Sequence, residues 1–438
     1  MFSGNDEADV PVPTSLQRGV AGEPSGAKGG HEMSDQEGGD PARVARIQPA
    51  KRVPPTTRIP VLRPLLPKLD ALAPYLTEID ENRWYTNHGP LLQRFEARLA
   101  AHLGVGPEQV QLVSNGTVAL TLALQAMKVR RGGFCLMPSW TFVASAAAVC
   151  AANLLPHFVD VDPVTWQLDP DQLAARTDLE DVSAVLVVSS FGAPVPVARW
   201  DAFTAKTGIP VLIDAAAGLD AVATVPEARV GRTPIMISLH ATKAFGIGEG
   251  GLILSTDPEL MSRARGLGNF GIYYQPVATV IGGNAKVSEY HAAVGLAALD
   301  QWPARRAETS ALIACYEGRL ATVTRLHTSP GFADGWVSSY CNVVLEAEAM
   351  AVAETLADSG IETRRWWRNG CHVDPAYVRF PRDPLPVTEQ LGRSVLGLPF
   401  FPGMTNAEAG LVVAALDQTL KRVDPIPPRA HALMRGAL

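Results

Sequence analysis

The sequence predicts an α/β protein built on a mostly parallel central sheet. Residues 184–189 form a strand that is apolar up to its last residue, Ser189, the kind found in parallel sheets whose two faces are both covered. A second apolar strand, residues 211–213, ends on the carboxylate of Asp214, and α/β sheets hold their chemistry at the carboxyl ends of strands. A third strand-like run, residues 110–113, leads through a small polar turn into a helix.

Composition excludes several classes of protein. Of the 438 residues, 47% are apolar and 19% charged, which describes an ordinary globular chain long enough for two domains. The net charge of −6 argues against nucleic acid as the main partner, because phosphate neutralisation requires clustered Lys and Arg. No apolar run reaches the ~18 residues of a membrane span. The five cysteines form no C-x-x-C pair, so we expect a reducing cytoplasm and no metal site.

The chain divides into four parts. Residues 1–55 are rich in Gly, Pro, Asp and Glu and nearly lack aromatics, so they cannot bury enough apolar surface to offset the entropy of ordering. We expect a disordered extension there, a large domain over residues 56–305, a smaller C-terminal α/β domain over residues 306–422 and a loose tail over residues 423–438.

The most informative stretch is residues 238–251, in which Lys243 lies between small hydroxyl residues and a glycine-rich turn. A lysine that binds an aldehyde cofactor covalently must be partly desolvated and have phosphate donors nearby. Residues 246–251 also satisfy the dinucleotide pattern G-x-G-x-x-G. A strand-like run follows these glycines where that motif requires a helix, so dinucleotide binding is not predicted.

A phosphate site is predicted where Asn115, Gly116 and Thr117 open a helix directly after a strand. Free backbone N–H groups and the positive end of the helix dipole meet there. An ordinary Asn N-cap is the alternative, and the presence of Lys243 favours the phosphate role.

Residues 238–251 resemble the core motif of the DegT/DnrJ/EryC1/StrS sugar aminotransferases, Ser-x-x-x-(Thr/Asn)-Lys followed by Gly-Glu-Gly-Gly. The resemblance covers roughly residues 57–420 and implies the aspartate-aminotransferase-type fold (fold type I) with pyridoxal 5′-phosphate (PLP) as cofactor. It implies that Lys243 forms the internal Schiff base and shuttles the proton, and that Ser238 binds the phosphate. Asp214 would keep the pyridine nitrogen protonated.

Other segments match the family's pattern residue by residue. Phe142 would stack on the cofactor ring, with Trp140 nearby, since residues 138–143 resemble Pro-Ser-x-Thr-(Phe/Trp)-Val. Thr86 and His88 belong to a segment like the Thr-x-x-Gly-Pro loop beside the substrate, although a solvent-facing histidine is an alternative. Asn284 matches an asparagine that reaches the phosphate of the neighbouring subunit, which implies a homodimer with shared active sites.

Residues 363–372 contain paired arginines beside paired tryptophans and line up with the family's Thr-Arg-x-x-(Trp/Tyr) segment. Arginine and tryptophan together suit a diphosphate and a stacked base, so Arg365, Trp366 and His372 are candidate substrate contacts. A packed Trp pair with solvated arginines is the alternative.

The resemblance implies transamination from glutamate to a nucleotide-linked keto-deoxysugar. Two positions depart from the family's pattern: Ser189 replaces a frequent histidine, and Ala217 replaces a Gln or His. A cyclitol ketone is an alternative acceptor. A sugar dehydratase would have histidine at position 243, and a non-catalytic regulator would not need Lys243 and Asp214 together.

Overall fold

The computed structural model describes residues 58–273 and 276–426, so the predicted disordered extension lies outside the described residues. The helices within these ranges are α1 (Leu69–Asn82), α2 (Pro90–Leu103), α3 (Gly116–Ala126), α4 (Val143–Ala151), α5 (Pro170–Ala174), α6 (Val197–Thr207), α7 (Leu219–Thr224), α8 (Pro258–Leu267), α9 (Glu289–Leu320), α10 (Ala349–Asp358), α11 (Pro386–Ser394) and α12 (Asn406–Leu420). The strands are β1 (Val110–Val113), β2 (Phe134–Pro138), β3 (Leu155–Val159), β4 (Val182–Val188), β5 (Val211–Asp214), β6 (Ile235–Ser238), β7 (Gly251–Leu254), β8 (Leu326–Thr328), β9 (Cys341–Leu345) and β10 (Val395–Leu398).

The larger sheet has seven strands in the order β1-β7-β6-β5-β4-β2-β3. The pairs from β6 through β5, β4 and β2 to β3 are all parallel, whereas β7 is antiparallel to both of its neighbours. This is the mostly parallel sheet that the sequence predicts. The glycines of residues 246–251 lead into β7 and not into a helix, which confirms the argument against a dinucleotide fingerprint.

Successive strand residues enter two apolar cores, one on each face of this sheet. Leu186 and Leu212 pack with buried residues of α3, α4 and α8. Val187 and Ile213 pack on the other face with α2, α6, α7 and α9. Because both faces are covered, β4 and β5 are apolar at nearly every position before the edge of the sheet, Ser183 being the exception.

The C-terminal strands form a second sheet, antiparallel, in the order β10-β9-β8. The 32-residue helix α9 passes through residue 305, so the predicted domain boundary lies inside one continuous helix. The chain is also packed beyond residue 423, where the sequence predicts a loose tail. Ile426 is buried and its N–H donates to the carbonyl of Glu346 at 2.9 Å; residues 427–438 lie outside the described residues.

No helix in the described part of the chain has the length and apolar character needed to cross a membrane.

An ion pair with a buried carboxylate fixes the segment that leads into β9. Asp220 on α7 is 1% exposed and accepts hydrogen bonds from Arg306 Nε at 2.7 Å and from the N–H of Val337 at 2.8 Å. Arg306 on α9 also donates to the carbonyl of Gly335 at 2.9 Å. The carboxylate therefore joins α7, α9 and the chain entering β9 at one point.

We expect Asp220→Ala to lower the free energy of unfolding by about 2–4 kcal/mol, because it leaves a guanidinium and a buried N–H without their acceptor. Urea denaturation followed by circular dichroism measures this loss. The matched control is Asp417→Ala, which removes the surface i,i+4 pair with Lys421 and should change the value by less than about 0.5 kcal/mol. Equal losses in the two variants would contradict the assigned role of Asp220.

Candidate active site

A cleft of about 940 Å³ lies at the carboxyl edge of the larger sheet. The ends of β4, β5 and β6 form its floor, the edge at which parallel sheets hold ligands. Its walls include these predicted site residues: Asn115, Gly116, Thr117, Phe142, Asp214, Ser238, Lys243, Arg365 and Trp366. The structure therefore brings together most of the residues that the sequence singles out, from segments as far apart as Asn115 and Trp366.

Lys243 lies on the loop that connects β6 to β7. Its Nζ donates a hydrogen bond to the hydroxyl of Tyr340 at 2.9 Å. The loop is held by local contacts, with the N–H of Lys243 donating to the carbonyl of His240 at 2.9 Å. Sequence reasoning missed Tyr340, because it lies 97 positions away just before a strand of the other sheet and belongs to no motif quoted above.

Asp214 ends β5 as a buried carboxylate, 6% exposed. Its Oδ2 accepts from Ser145 Oγ at 2.6 Å, and its Oδ1 accepts from the N–H of Ala216 at 3.1 Å. Burial raises the pKa of Asp214, while these two hydrogen bonds and the charge of Lys243 act in the opposite direction. Ser145 was also missed by the sequence analysis, because a single serine in the alanine-rich α4 gives no signal.

The start of α3 forms a cradle of backbone N–H groups. Asn115 is its N-cap, with Oδ1 accepting from the N–H of Val118 at 2.9 Å. The capping role is therefore real, and it places the helix N-terminus in the cleft wall beside Ser238. A Cβ on Gly116 would lie 3.2 Å from the Cβ of Ser238, and a Cβ on Gly251 would lie 2.5 Å from the carbonyl oxygen of Asn115. At position 251 only glycine permits this approach of backbones, whereas at position 116 a side chain would require its neighbours to shift.

These residues fit PLP. The helix N-terminus and the Ser238 hydroxyl suit a phosphate, the buried carboxylate of Asp214 suits a protonated pyridine nitrogen, and the Lys243 amine suits an aldehyde. Phe142 is 60% exposed on the cleft wall, where its ring is free to cover an aromatic ligand. Among the residues that the structure describes, no cluster of His, Cys, Asp or Glu is arranged to hold a metal ion.

The arginines at the cleft mouth have different environments. Arg365 Nη2 donates to Asn369 Oδ1 at 2.5 Å and to the carbonyl of Gly392 at 2.6 Å, and burial lowers its pKa. Arg364 is exposed, and its guanidinium lies 5.1 Å from the ring centroid of Trp366. Arg365 is the arginine predicted from the sequence, but Arg364 presents the more accessible guanidinium.

Two predicted substrate contacts require correction. Trp140 is 2% exposed and is not part of the cleft wall. Its ring packs edge-on against Trp166 at 6.2 Å and Trp367 at 5.2 Å, so it belongs to the core beneath the cleft. His372 is also buried, with Nδ1 2.7 Å from Ser139 Oγ. An aromatic ring that follows a strand usually completes the core, and Trp140 does so after β2.

Three other predicted residues lie outside the wall of this chain's own cleft. Thr86 is exposed and its carbonyl accepts from Trp84 Nε1 at 2.6 Å. His88 is half-buried, and burial together with the charges of Arg265 and Lys286 lowers its pKa. Asn284 is exposed, and its Oδ1 accepts from the N–H of Lys286 at 3.3 Å.

The loop that carries Thr86 and His88 is fixed by Glu289, the first residue of α9. This buried carboxylate accepts from the N–H groups of Leu91 and Leu92 at 2.7 and 2.9 Å and so caps α2. A Cβ on Gly89 would lie 2.6 Å from the Glu289 carboxyl carbon. The cap therefore joins the Thr86 loop to the segment that carries Asn284.

Comparison with known proteins shows the family to which this chain belongs. Residues 70–417 match the DegT/DnrJ/EryC1/StrS aminotransferase family. Protein Rv3402c of Mycobacterium tuberculosis is 32% identical over 82% of this chain and 90% of that protein. GDP-perosamine synthase of Caulobacter vibrioides is 29% identical over 81% of this chain and 99% of that enzyme.

A solved structure, DesI in the presence of its TDP-sugar product, is similar with a TM-score of 0.76 and 31% identity, covering 84% of this chain and 95% of that one. This likeness confirms the predicted aspartate-aminotransferase-type fold (fold type I). With the cleft residues described above, the chain belongs to the DegT/DnrJ/EryC1/StrS family and is a PLP-dependent aminotransferase.

Proposed function

We propose that this enzyme transfers an amino group from glutamate to the keto carbon of a nucleotide-linked keto-deoxysugar, in amino-sugar biosynthesis. The observation that carries the proposal is the size and charge of the cleft. Its volume of about 940 Å³ is near the upper end for small-molecule sites. Arg364, Arg365 and Arg368 contribute to its wall beside Trp366 and Trp367.

The recognition of a nucleotide diphosphate follows from these side chains. Arg364 is exposed and its guanidinium lies over the Trp366 ring, so the guanidinium can donate to a phosphate while it stacks on the indole. Among the relatives, one is a GDP-perosamine synthase and one was solved with a TDP-sugar product. Both names support a nucleotide sugar as the substrate class. The five free cysteines favour the cytoplasm as the location.

The chain's own residues divide the work of transamination. When bound, PLP supplies an aldehyde carbon for covalent attachment and a ring that accepts an electron pair. Lys243 would supply the amine that binds the aldehyde carbon, and its nitrogen would take and return the proton. Tyr340 accepts one N–H of that amine and so limits the rotation of its flexible stem. The buried carboxylate of Asp214 would keep the ring nitrogen protonated.

We expect the purified protein to absorb in the visible range and to transfer the amino group of glutamate to at least one member of a panel of nucleotide-linked keto sugars. Borohydride should fix the cofactor to Lys243, as peptide mapping shows. Lys243→Ala should fold normally and be inactive. Activity with cyclitol ketones alone, or a cofactor fixed to another lysine, would refute the proposal.

We expect Tyr340→Phe to lower kcat about tenfold or more, since one hydrogen bond to the reacting amine is lost while the ring contacts remain. Steady-state kinetics at saturating substrate measure this change. Tyr75→Phe is the matched control, because the Tyr75 hydroxyl donates to Asp300 at 2.7 Å on an exposed surface. An unchanged kcat for Tyr340→Phe would remove the hydroxyl from the mechanism.

We further propose a homodimer in which Asn284 of each chain reaches the phosphate site of the other. Asn284 is exposed and lies outside its own cleft wall. The same loop exposes apolar side chains, with Ile281 98% exposed and Val280 46% exposed. Such a surface is normally buried in an assembly. A two-fold symmetric dimer would bury both copies, and each chain would give and receive one Asn284.

Complementation tests the shared site. Mixing inactive Lys243→Ala chains with inactive Asn284→Asp chains should restore activity, because some heterodimers contain one site with both native residues. Recovered activity is compared with each variant alone after subunit exchange has been verified. An inactive mixture after proven exchange, or an active monomer, would show that Asn284 does not contribute to the phosphate site of a partner chain.

A further inference from the structure

Two hydroxyl groups lie in line behind the carboxylate of Asp214. Ser145 Oγ donates to Asp214 Oδ2 at 2.6 Å, and Thr141 Oγ1 lies 2.8 Å from Ser145 Oγ. All three side chains are buried. The single proton of the Ser145 hydroxyl is directed to the carboxylate, so Thr141 is the donor in the second bond.

Local helix geometry produces this arrangement. Thr141 lies one position before Phe142, the N-cap of α4, and Ser145 lies in the first turn, so the chain entering the helix brings the two hydroxyls to 2.8 Å from each other. The neighbouring buried residues Ala146 and Ala148 are apolar. A hydroxyl buried among alanines is unfavourable unless it is hydrogen-bonded, and the carboxylate of Asp214 supplies that bond.

We propose that Ser145, supported by Thr141, is a positioning residue for transamination: its hydroxyl holds the Asp214 carboxylate in one orientation and favours its ionised form. This inference rests on the role proposed for Asp214 opposite the pyridine nitrogen of PLP. Each carboxylate oxygen then has its own donor: the Ser145 hydroxyl donates to Oδ2, and the N–H of Ala216 donates to Oδ1. With both oxygens bonded, the group cannot rotate away from the cleft.

The electrostatic balance at Asp214 supports this role. Burial raises the pKa of Asp214, and the strongest opposing contribution is the Ser145 hydrogen bond, followed by the N–H of Ala216 and the charge of Lys243. The other titratable groups in the cleft wall are His240, Glu249, Tyr340 and the arginines at 364, 365 and 368. Removing the Ser145 hydroxyl therefore removes the main contribution that opposes the rise in the pKa of Asp214 caused by burial.

The change in the pKa of Asp214 predicts the direction in which the pH dependence of kcat moves. A carboxylate that must be ionised loses its function as the pH falls through its pKa in the folded protein. Ser145→Ala removes a hydrogen bond to the ionised form, so the pKa of Asp214 rises. The acid limb of the kcat profile should therefore move to higher pH, and kcat at pH 7 should fall about tenfold or more.

The titration is measured first in the cofactor-free protein, by infrared difference spectroscopy of the protonated carboxyl band, with Asp214→Asn used to assign the band. The band should persist to higher pH in Ser145→Ala than in the native chain. Ser145→Thr keeps the hydroxyl and should restore the native titration. Ser394→Ala is the matched control, since this buried hydroxyl donates to the carbonyl of Gln390 on α11 at 2.9 Å and should change nothing.

A native titration of Asp214 in folded Ser145→Ala would overturn the proposal, and so would a failure of Ser145→Thr to restore it. Should Ser145→Ala not fold, Thr141→Val removes only the second hydroxyl and should shift the band in the same direction by less. No shift in that variant would then overturn the proposal. If the native chain transfers no amino group but the band shifts as expected, the effect of Ser145 and Thr141 on Asp214 is confirmed and the proposed function is refuted.

Discussion

The active site depends on one backbone contact, where β7 begins. Gly251 pairs with Ser238 at the end of β6, and an added Cβ there would collide with the carbonyl of Asn115. Because β7 is antiparallel to β6, this pair closes the loop of residues 239–250 at the carboxyl edge of the parallel strands. The amine of Lys243 is thereby held on the same edge as the N-terminus of α3 and the carboxylate of Asp214.

Opposing charges in the cleft are held at fixed positions by neutral groups. The amine of Lys243 meets a tyrosine hydroxyl, and the carboxylate of Asp214 meets a serine hydroxyl and a backbone N–H. Neither charge is paired with an ion in the wall, so both remain available to a bound molecule. Hydrogen bonds to fixed dipoles orient a charge without neutralising it, which suits a site that must act on a charged ligand.

The sequence predicts those parts of the site that are set by local chemistry. A lysine in a glycine-rich loop, a carboxylate at the end of an apolar strand and a polar helix start each have a short-range signal, and Lys243, Asp214 and Asn115 all line the cleft. Tyr340 and Ser145 have none, because their roles depend on which elements meet in three dimensions. Trp140 was misassigned for the related reason that a ring after a strand packs inward or outward according to its neighbours.

The position of the domain boundary was also not predictable from local sequence signals. A change in residue pattern near position 305 is visible in the sequence, but the helical periodicity of α9 continues across it, and composition does not reveal a helix shared by two sheets.

The length of α9 has a mechanical consequence. Pro303 lies inside this helix and has no N–H to donate, so one backbone hydrogen bond is missing there and bending is least costly at that point. Arg306 follows within one turn and is fixed to Asp220. The position at which α9 bends most easily therefore lies within one turn of its ion pair with α7. Tyr340 lies just before β9 of the C-terminal sheet, so its hydrogen bond to Lys243 makes the position of the amine depend on how that sheet is seated against the end of α9.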